Sequence, residues 1–267
     1  TTDVDFGPDG GLYVTDWVES WDGMGVGRIY RIFDPTKKDD PLVLETAALL
    51  REGFSDLAEK KLSGLLSHPD RRVRQGAQFE LARRGVEQPL ILVLQSDAEL
   101  LPRLHALWGL GQLHRHARNL GGDPLTSFLS DPEPEVRAQA AKVISEVPAL
   151  RKAATGKLMV MLSDAAPRPR FFAAIALGRL KSADCFDPLV AYLARDGAEP
   201  YHRHAGMMGL LGCATPTQLA GLANHKSKPA RLAAVVALRR LRALHAVAFP
   251  SASHPVVLAV ARAPPPL

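Results

Sequence analysis

Through most of the chain, apolar positions recur at the three- and four-residue spacing that lines one side of an α-helix, in short stretches broken by Ser, Asp and Pro. Residues 1–33 follow another rhythm. Val4-Asp5-Phe6 and Leu12-Tyr13-Val14 are brief strand-like runs on either side of Gly7-Pro8-Asp9-Gly10-Gly11, and Arg28-Ile29-Tyr30-Arg31-Ile32-Phe33 alternates between classes. Glycines and a proline between two β-like runs signal a turn, so this part predicts a hairpin followed by a third strand.

The helical part repeats itself. An arginine is followed three residues later by a small residue and seven later by an apolar one. The instances are Arg74 with Ala77 and Leu81, Arg103 with Ala106 and Leu110, Arg137 with Ala140 and Ile144, Arg170 with Ala173 and Leu177, Arg203 with Gly206 and Leu210, and Arg231 with Ala234 and Leu238. Successive arginines lie 29, 34, 33, 33 and 28 residues apart. Positions three and seven further on share a helix side, so the small and apolar residues form one buried stripe.

Ahead of each arginine stands the end of another apolar helix, as in Leu62-Leu65-Leu66, Leu125-Phe128-Leu129 and Leu189-Tyr192-Leu193. Between the two come capping and turn residues such as His68-Pro69-Asp70, Ser130-Asp131-Pro132 and Ser163-Asp164. Ser and Asp satisfy the free N–H groups of a helix start, and Pro suits its first turn. The unit is helix A, tight turn, helix B. One such pair cannot hide both apolar faces, so neighbours must stack.

The segments His68-Pro-Asp-Arg-Arg-Val-Arg-Gln-Gly-Ala77 and Asp131-Pro-Glu-Pro-Glu-Val-Arg-Ala-Gln-Ala-Ala141 resemble the helix B signature of HEAT repeats, in the short variety of phycobilin-lyase-like proteins. The 28 to 34 residue period fits that variety better than the roughly 40 residues of long HEAT units. The expected fold is therefore mostly α: an α-α superhelix, a HEAT-repeat solenoid, behind a short N-terminal β segment. Residues 55–250 accommodate about six hairpins, after a linker with a helix at 35–54. A truncated seventh unit is expected at 251–267, where Leu258 takes the arginine's place before Pro264-Pro265-Pro266 stops any helix.

The stretch from Thr2 to Trp17 resembles a strand-turn-strand unit of β-propellers of the glucose/sorbosone dehydrogenase type, so residues 1–34 read as a partial propeller blade. Followed by Gly27-Arg-Ile-Tyr-Arg-Ile32 and then HEAT units, the order is similar to a bacterial family of large membrane-bound dehydrogenases. There a propeller precedes the repeats and a c-type haem domain often follows. The resemblance implies that this chain is a fragment of an exported or membrane-associated protein whose other parts use a quinone and a c-type haem. No Cys-x-x-Cys-His occurs here, and one blade cannot close a propeller of four or more. No cofactor is expected on this chain itself.

Composition agrees with a folded helical chain: 46% hydrophobic, 23% charged and only 6% aromatic residues. The net charge of +5 permits anionic partners without requiring them. Cys185 and Cys213 sit in apolar helical contexts, without redox or zinc spacing. No apolar run reaches the roughly 18 residues of a membrane span.

Candidate chemistry is sparse. Asp16, Trp17, Trp21 and Asp22 combine acids and aromatics beside a Gly-rich loop, suited to a sugar or quinone pocket, or to blade packing and turn capping. The six repeat arginines read as structural ties to nearby acids, as with Arg137 beside Asp131 and Glu133, in preference to an anion-binding ladder. Arg231, Arg239, Arg240 and Arg242, with His245, lack interspersed acids and form either a basic patch for acidic proteins or phosphates or a solvated helix face. His114 and His116, and His202 and His204, are two apart and point to different helix faces, so no metal set forms. No catalytic residue is assigned, and Gly23-x-Gly25-x-Gly27 leads into a strand rather than a nucleotide-binding helix.

The leading expectation is a non-catalytic interaction scaffold that holds a protein partner or another domain of the same polypeptide. A second is a pocket wall for quinone-dependent sugar or aldehyde oxidation. Nucleic-acid binding ranks last, because Glu and Asp interleave with the basic residues of the repeats.

Overall fold

Strand β1 (Asp3–Phe6), β2 (Leu12–Trp17) and β3 (Gly27–Ile32) form an antiparallel meander in the order β1-β2-β3. The computed structural model describes residues 3–17, 27–115 and 122–248, so Trp21, Asp22 and the expected unit at 251–267 lie outside the described residues. The turn closes through Gly7 N–H to Gly11 O at 2.7 Å, with Gly10 at φ +74°, a backbone region that favours glycine. Asp9 locks it, accepting from Gly11 N–H, the Tyr13 hydroxyl and Arg31 Nε.

Register and the two-residue alternation of strands divide the sheet's faces. Val4, Val14 and Tyr30 share one face with Phe6, Leu12 and Ile32, whereas Asp5, Tyr13 and Arg31 share the other. The sheet is tied to the first repeat by Arg72, which donates from Nη1 to Phe6 O at 2.6 Å.

The chain divides into two compact units, residues 1–109 and 110–267. The first holds the sheet, helix α1 (Pro41–Glu52), and the hairpin of α2 (Glu59–Leu65) and α3 (Arg71–Arg83). It continues with α4 (Gln88–Gln95) and most of α5 (Leu100–His114). In the second unit come α6 (Pro134–Glu146), α7 (Arg151–Met161), α8 (Pro167–Leu180), α9 (Phe186–Asp196), α10 (Pro200–Cys213), α11 (Pro216–Gly221) and α12 (Lys228–Ala248). Here α6, α8, α10 and α12 are B helices, each packed against the next, while α7, α9 and α11 pack as A helices against their own B helices.

The periodic positions do what their spacing predicts. Leu81, Leu110, Ile144, Leu177 and Leu210 are fully buried, and so are Ala77, Ala106, Ala140, Ala173 and Ala234. Each such leucine contributes roughly 1.5–3 kcal/mol by leaving water. Gly206 occupies the small position of α10 because a Cβ there would come within 2.6 Å of Leu193, on its own A helix.

One A helix departs from expectation. The run Leu125-Phe128-Leu129 forms only a 3-10 turn, Thr126–Ser130. Asp123 Oδ1 accepts from Leu125 N–H and Thr126 N–H, starting the element late, and Asp131 ends it as the C-cap.

Candidate interaction surface

Each repeat arginine is the fourth residue of its B helix. In five of them Nη1 reaches back to two carbonyls of the turn just before that helix. Arg137 donates to Asp131 O at 2.7 Å and Pro132 O at 3.0 Å, and Arg170 to Asp164 O at 2.9 Å and Ala165 O at 3.0 Å. Arg74, Arg203 and Arg231 make the same pair of bonds to His68 and Pro69, to Gly197 and Ala198, and to His225 and Lys226. Arg103 instead donates from Nε to Leu94 O at 3.0 Å. Turn carbonyls ahead of a helix have no partner in the ladder, so a guanidinium that takes two of them fixes the A–B corner.

The carboxylate partner lies one repeat ahead. Arg137 pairs with Asp164, Nε to Oδ2 at 2.7 Å, rather than with Asp131 or Glu133, the acids nearest in sequence. Arg170 likewise meets Asp196, Nε to Oδ2 at 3.1 Å. The hydrogen bonds from Arg137 hold the Asp164 carboxyl below its usual range against the opposing effect of burial. At Asp196 burial pushes the carboxyl up, and Arg195 with Arg170 outweigh it. In the first unit Arg74 Nε donates to His105 Nε2 at 3.2 Å, while His105 Nδ1 lies 2.7 Å from Gln78 Oε1. That imidazole is neutral: burial, helped by Arg74, lowers it to about 4.

Away from these ties, the B helices turn a second stripe outward. On α8 it contains Arg168, Phe172, Ile175 and Arg179, on α10 Tyr201, His204, Met208 and Leu211, and on α12 Leu232, Val235, Val236 and Arg239. Cross-helix contacts align the stripes: Arg168 bonds Glu135 at 2.6 and 2.8 Å, Arg179 reaches Glu146 at 3.2 Å, and Arg240 Nη1 lies 3.3 Å from Met208 Sδ. At one end a cleft of about 430 Å³ opens between Pro167, Arg168, Phe171, Glu199, Tyr201 and His202. His202 is held beneath it by the Tyr192 hydroxyl, 2.6 Å from Nδ1, and burial lowers its pKa.

The residues singled out from sequence are dispersed. Asp16 and Trp17 are consecutive on β2, so their side chains leave opposite faces of the sheet, and Trp17 is half exposed. Arg231 is spent on its turn, whereas Arg239 and Arg240 are exposed on the outer stripe; the Arg242 side chain lies outside the described residues. Burial raises both thiols, Cys213 to about 12, which keeps them in the thiol form at neutral pH. Among the described residues no group of three His, Cys, Asp or Glu is placed to hold a metal ion, and no helix is long and apolar enough to cross a membrane.

Motif spacing passed over one signal. The interleaving of acids with basic residues ends at Glu199: residues 200–267 contain eight of the 33 Lys and Arg and none of the 28 Asp and Glu. That segment carries +8 and the remaining residues −3.

Stacked helical hairpins with capped, arginine-tied corners define an α-solenoid repeat protein. The family of HEAT repeats matches residues 122–211. No curated protein sequence matches the chain. Among solved structures, the complex of CpcE and CpcF of phycocyanin lyase from Nostoc sp. is similar at 20% identity, over 77% of this chain and 86% of that one, with a TM-score of 0.46. A designed armadillo repeat protein matches at 16% identity over 69% of this chain and all of its own, TM-score 0.42, and an engineered protein at 15% over 69% and 96%, TM-score 0.41.

Proposed function

We propose that this chain is a non-catalytic scaffold whose repeats hold a protein partner or another domain of the same polypeptide. The observation that carries this reading is the outer stripe of the B helices. It presents half-exposed apolar side chains from three adjacent helices, next to positions whose own packing is complete without it. A surface of that kind gains most by being covered. Chemical crosslinking of the chain in extracts of its source, followed by mass spectrometry, tests it. Crosslinks from α8, α10 and α12 to one discrete polypeptide are expected, and recovery of uncrosslinked monomer alone would count decisively against a scaffold.

The N-terminal sheet motivates a wider reading, in which the scaffold is the arm of a larger propeller-containing, sugar or sorbosone dehydrogenase-like protein. Its apolar face leaves Val4, Phe6 and Ile32 at 52–64% exposure, which suits a sheet meant to pack on others of its kind. Under this reading any quinone or c-type haem belongs to the rest of the parent protein. Dye-linked oxidation of aldoses by the full-length protein is the check, and absence of turnover across a sugar and aldehyde panel removes the dehydrogenase extension while leaving the scaffold.

A further inference from the structure

We propose that the outward face of α10 and α12 docks an acidic amphipathic helical segment of a partner protein, with its apolar stripe against Met208, Leu211, Val235 and Val236 and its carboxylates toward Arg239 and Arg240. This rests on the scaffold reading and names the chemistry of the partner.

The charge distribution selects the sign. Helices α8, α10 and α12 contain no Asp or Glu in any of their residues, although acids are present in α6, α7's flanking turns and α9. Within this face, the cations of α8 are already engaged, Arg168 by Glu135 and Arg179 by Glu146, both carboxylates of α6. Helix α10 stands before α12 as α6 stands before α8, and it offers no carboxylate. Among the described residues, the pairing that runs from α6 to α8 therefore has no acidic counterpart at Arg239 and Arg240. An incoming chain supplies it most simply, and opposite charge on the partner also speeds its encounter.

The apolar positions select the kind of polyanion. On α10, Tyr201, His204, Met208 and Leu211 stand at spacings of three, four and three, one continuous helical stripe. On α12, Leu232, Val235, Val236 and Arg239 make the neighbouring stripe, and Arg240 crosses between the two helices to Met208 Sδ. Such a face is apolar along its middle and cationic at one margin. A nucleic-acid backbone offers phosphates and sugars but nothing to cover Met and Val, whereas a helix laid along it matches apolar and charged positions together. Methionine adds adaptability to such a surface.

The test uses the whole chain and a fluorescein-labelled synthetic helix of Leu-Glu heptads, followed by anisotropy at low salt. Tight binding to that peptide is expected, with at least a tenfold loss when its Glu residues become Lys and a similar loss when its Leu residues become Ser. The double variant Arg239→Glu/Arg240→Glu changes exposed side chains only, and it is expected to weaken the original peptide at least tenfold with its melting curve unchanged. Should that variant melt early, the peptide series on the unaltered chain still decides. Equal binding of the Leu-to-Ser peptide, or tighter binding of a short DNA duplex, overturns the proposal in favour of a general polyanion surface, and indifference to the Glu-to-Lys change overturns it outright. A natural partner that crosslinks undiminished to the double variant would retain the scaffold and remove this site.

Discussion

Arg137 and Asp164 stand 27 residues apart and meet through two parallel hydrogen bonds, Nε to Oδ2 at 2.7 Å and Nη2 to Oδ1 at 2.8 Å. The same guanidinium holds two carbonyls of its own turn through Nη1. Asp164 Oδ1 in turn accepts from Ala166 N–H at the start of the next B helix. One arginine thus joins the corner of its repeat to the corner of the following one.

Removing the carboxylate leaves a largely buried guanidinium without its counter-charge. With side chains only 15% and 10% exposed, the pair behaves closer to a buried bridge than to a surface one. Asp164→Asn is expected to destabilise by roughly 2–3 kcal/mol in urea unfolding at pH 7, given that hydrogen bonds to charged groups are each worth about 1.5–3. Because the folded pKa of Asp164 is lowered, its contribution is complete above about 3.8 and is lost as pH falls through the folded value. The difference between the two proteins should therefore shrink in strong acid; a gap that stays constant from pH 7 to pH 2 would contradict the pairing.

His105 acts in a higher pH window. Its folded pKa is about 4 against an ordinary 6.5, so between these values the unfolded chain binds a proton that the folded chain refuses. Stability then rises with pH through that range, by an amount on the order of 2 kcal/mol in total. Urea midpoints of the protein and of His105→Gln, measured from pH 4 to pH 7, give the check. The variant should lose a measurable part of the slope, with His202 retaining a share of its own, and equal slopes would place the acid sensitivity elsewhere.

Much of the repeat architecture was legible because burial is periodic: Ala140 and Ile144 stand at fixed offsets from Arg137, and only one side of a helix satisfies all three. Turn chemistry was equally local, and Asp70 and Glu133 cap the helices that they precede. The partner of Arg137 was not legible, since sequence proximity favoured Asp131 and Glu133 whereas stacking brings in Asp164 from the next repeat. The 3-10 turn at Thr126–Ser130 escaped for another reason: its apolar residues have helical spacing, but the Asp123 side chain takes Leu125 and Thr126 N–H and starts the element late. For the candidate surface, the exposed arginines were visible as a cluster. The lack of acids after Glu199 needed a count along the whole chain, and the alignment of α10 with α12 needed coordinates.

Glycines separate close packing from mere tolerance. A Cβ on Gly212 would overlap the carbonyl oxygen of Gly178, and one on Gly178 would stand 2.5 Å from Met208 O, so α8 and α10 approach backbone to backbone. Neither carbonyl can move aside without disturbing its helix. Gly212→Ala is expected to cost roughly 1–3 kcal/mol as overpacking. Gly156, inside α7 and exposed with nothing within 4 Å of a new Cβ, predicts the reverse: Gly156→Ala should stabilise by roughly 0.5–1 kcal/mol. Thermal unfolding of both variants checks the pair, and a Gly212→Ala protein as stable as the parent would show that the two helices stand further apart.

Arg231 and Arg239 lie two turns apart on α12 and offer a direct contrast between tie and surface charge. Arg231 Nη1 donates to His225 O at 2.6 Å and Lys226 O at 3.2 Å, carbonyls that have passed the A helix and not yet entered the B helix. Arg239 is exposed on the outer stripe. Replacing Arg231 by Met keeps the aliphatic stem but abandons both carbonyls, at an expected cost of about 1–3 kcal/mol. Arg239→Met should alter stability by no more than about 0.5 kcal/mol, as exposed positions usually do. The expected division is therefore that Arg231→Met lowers the urea midpoint while leaving the affinity for an acidic helix intact in the folded protein, and Arg239→Met does the opposite. Equal stability losses in the two variants would mean that the basic residues of α12 serve one structural purpose, and the distinction between corner tie and docking surface would fail with it.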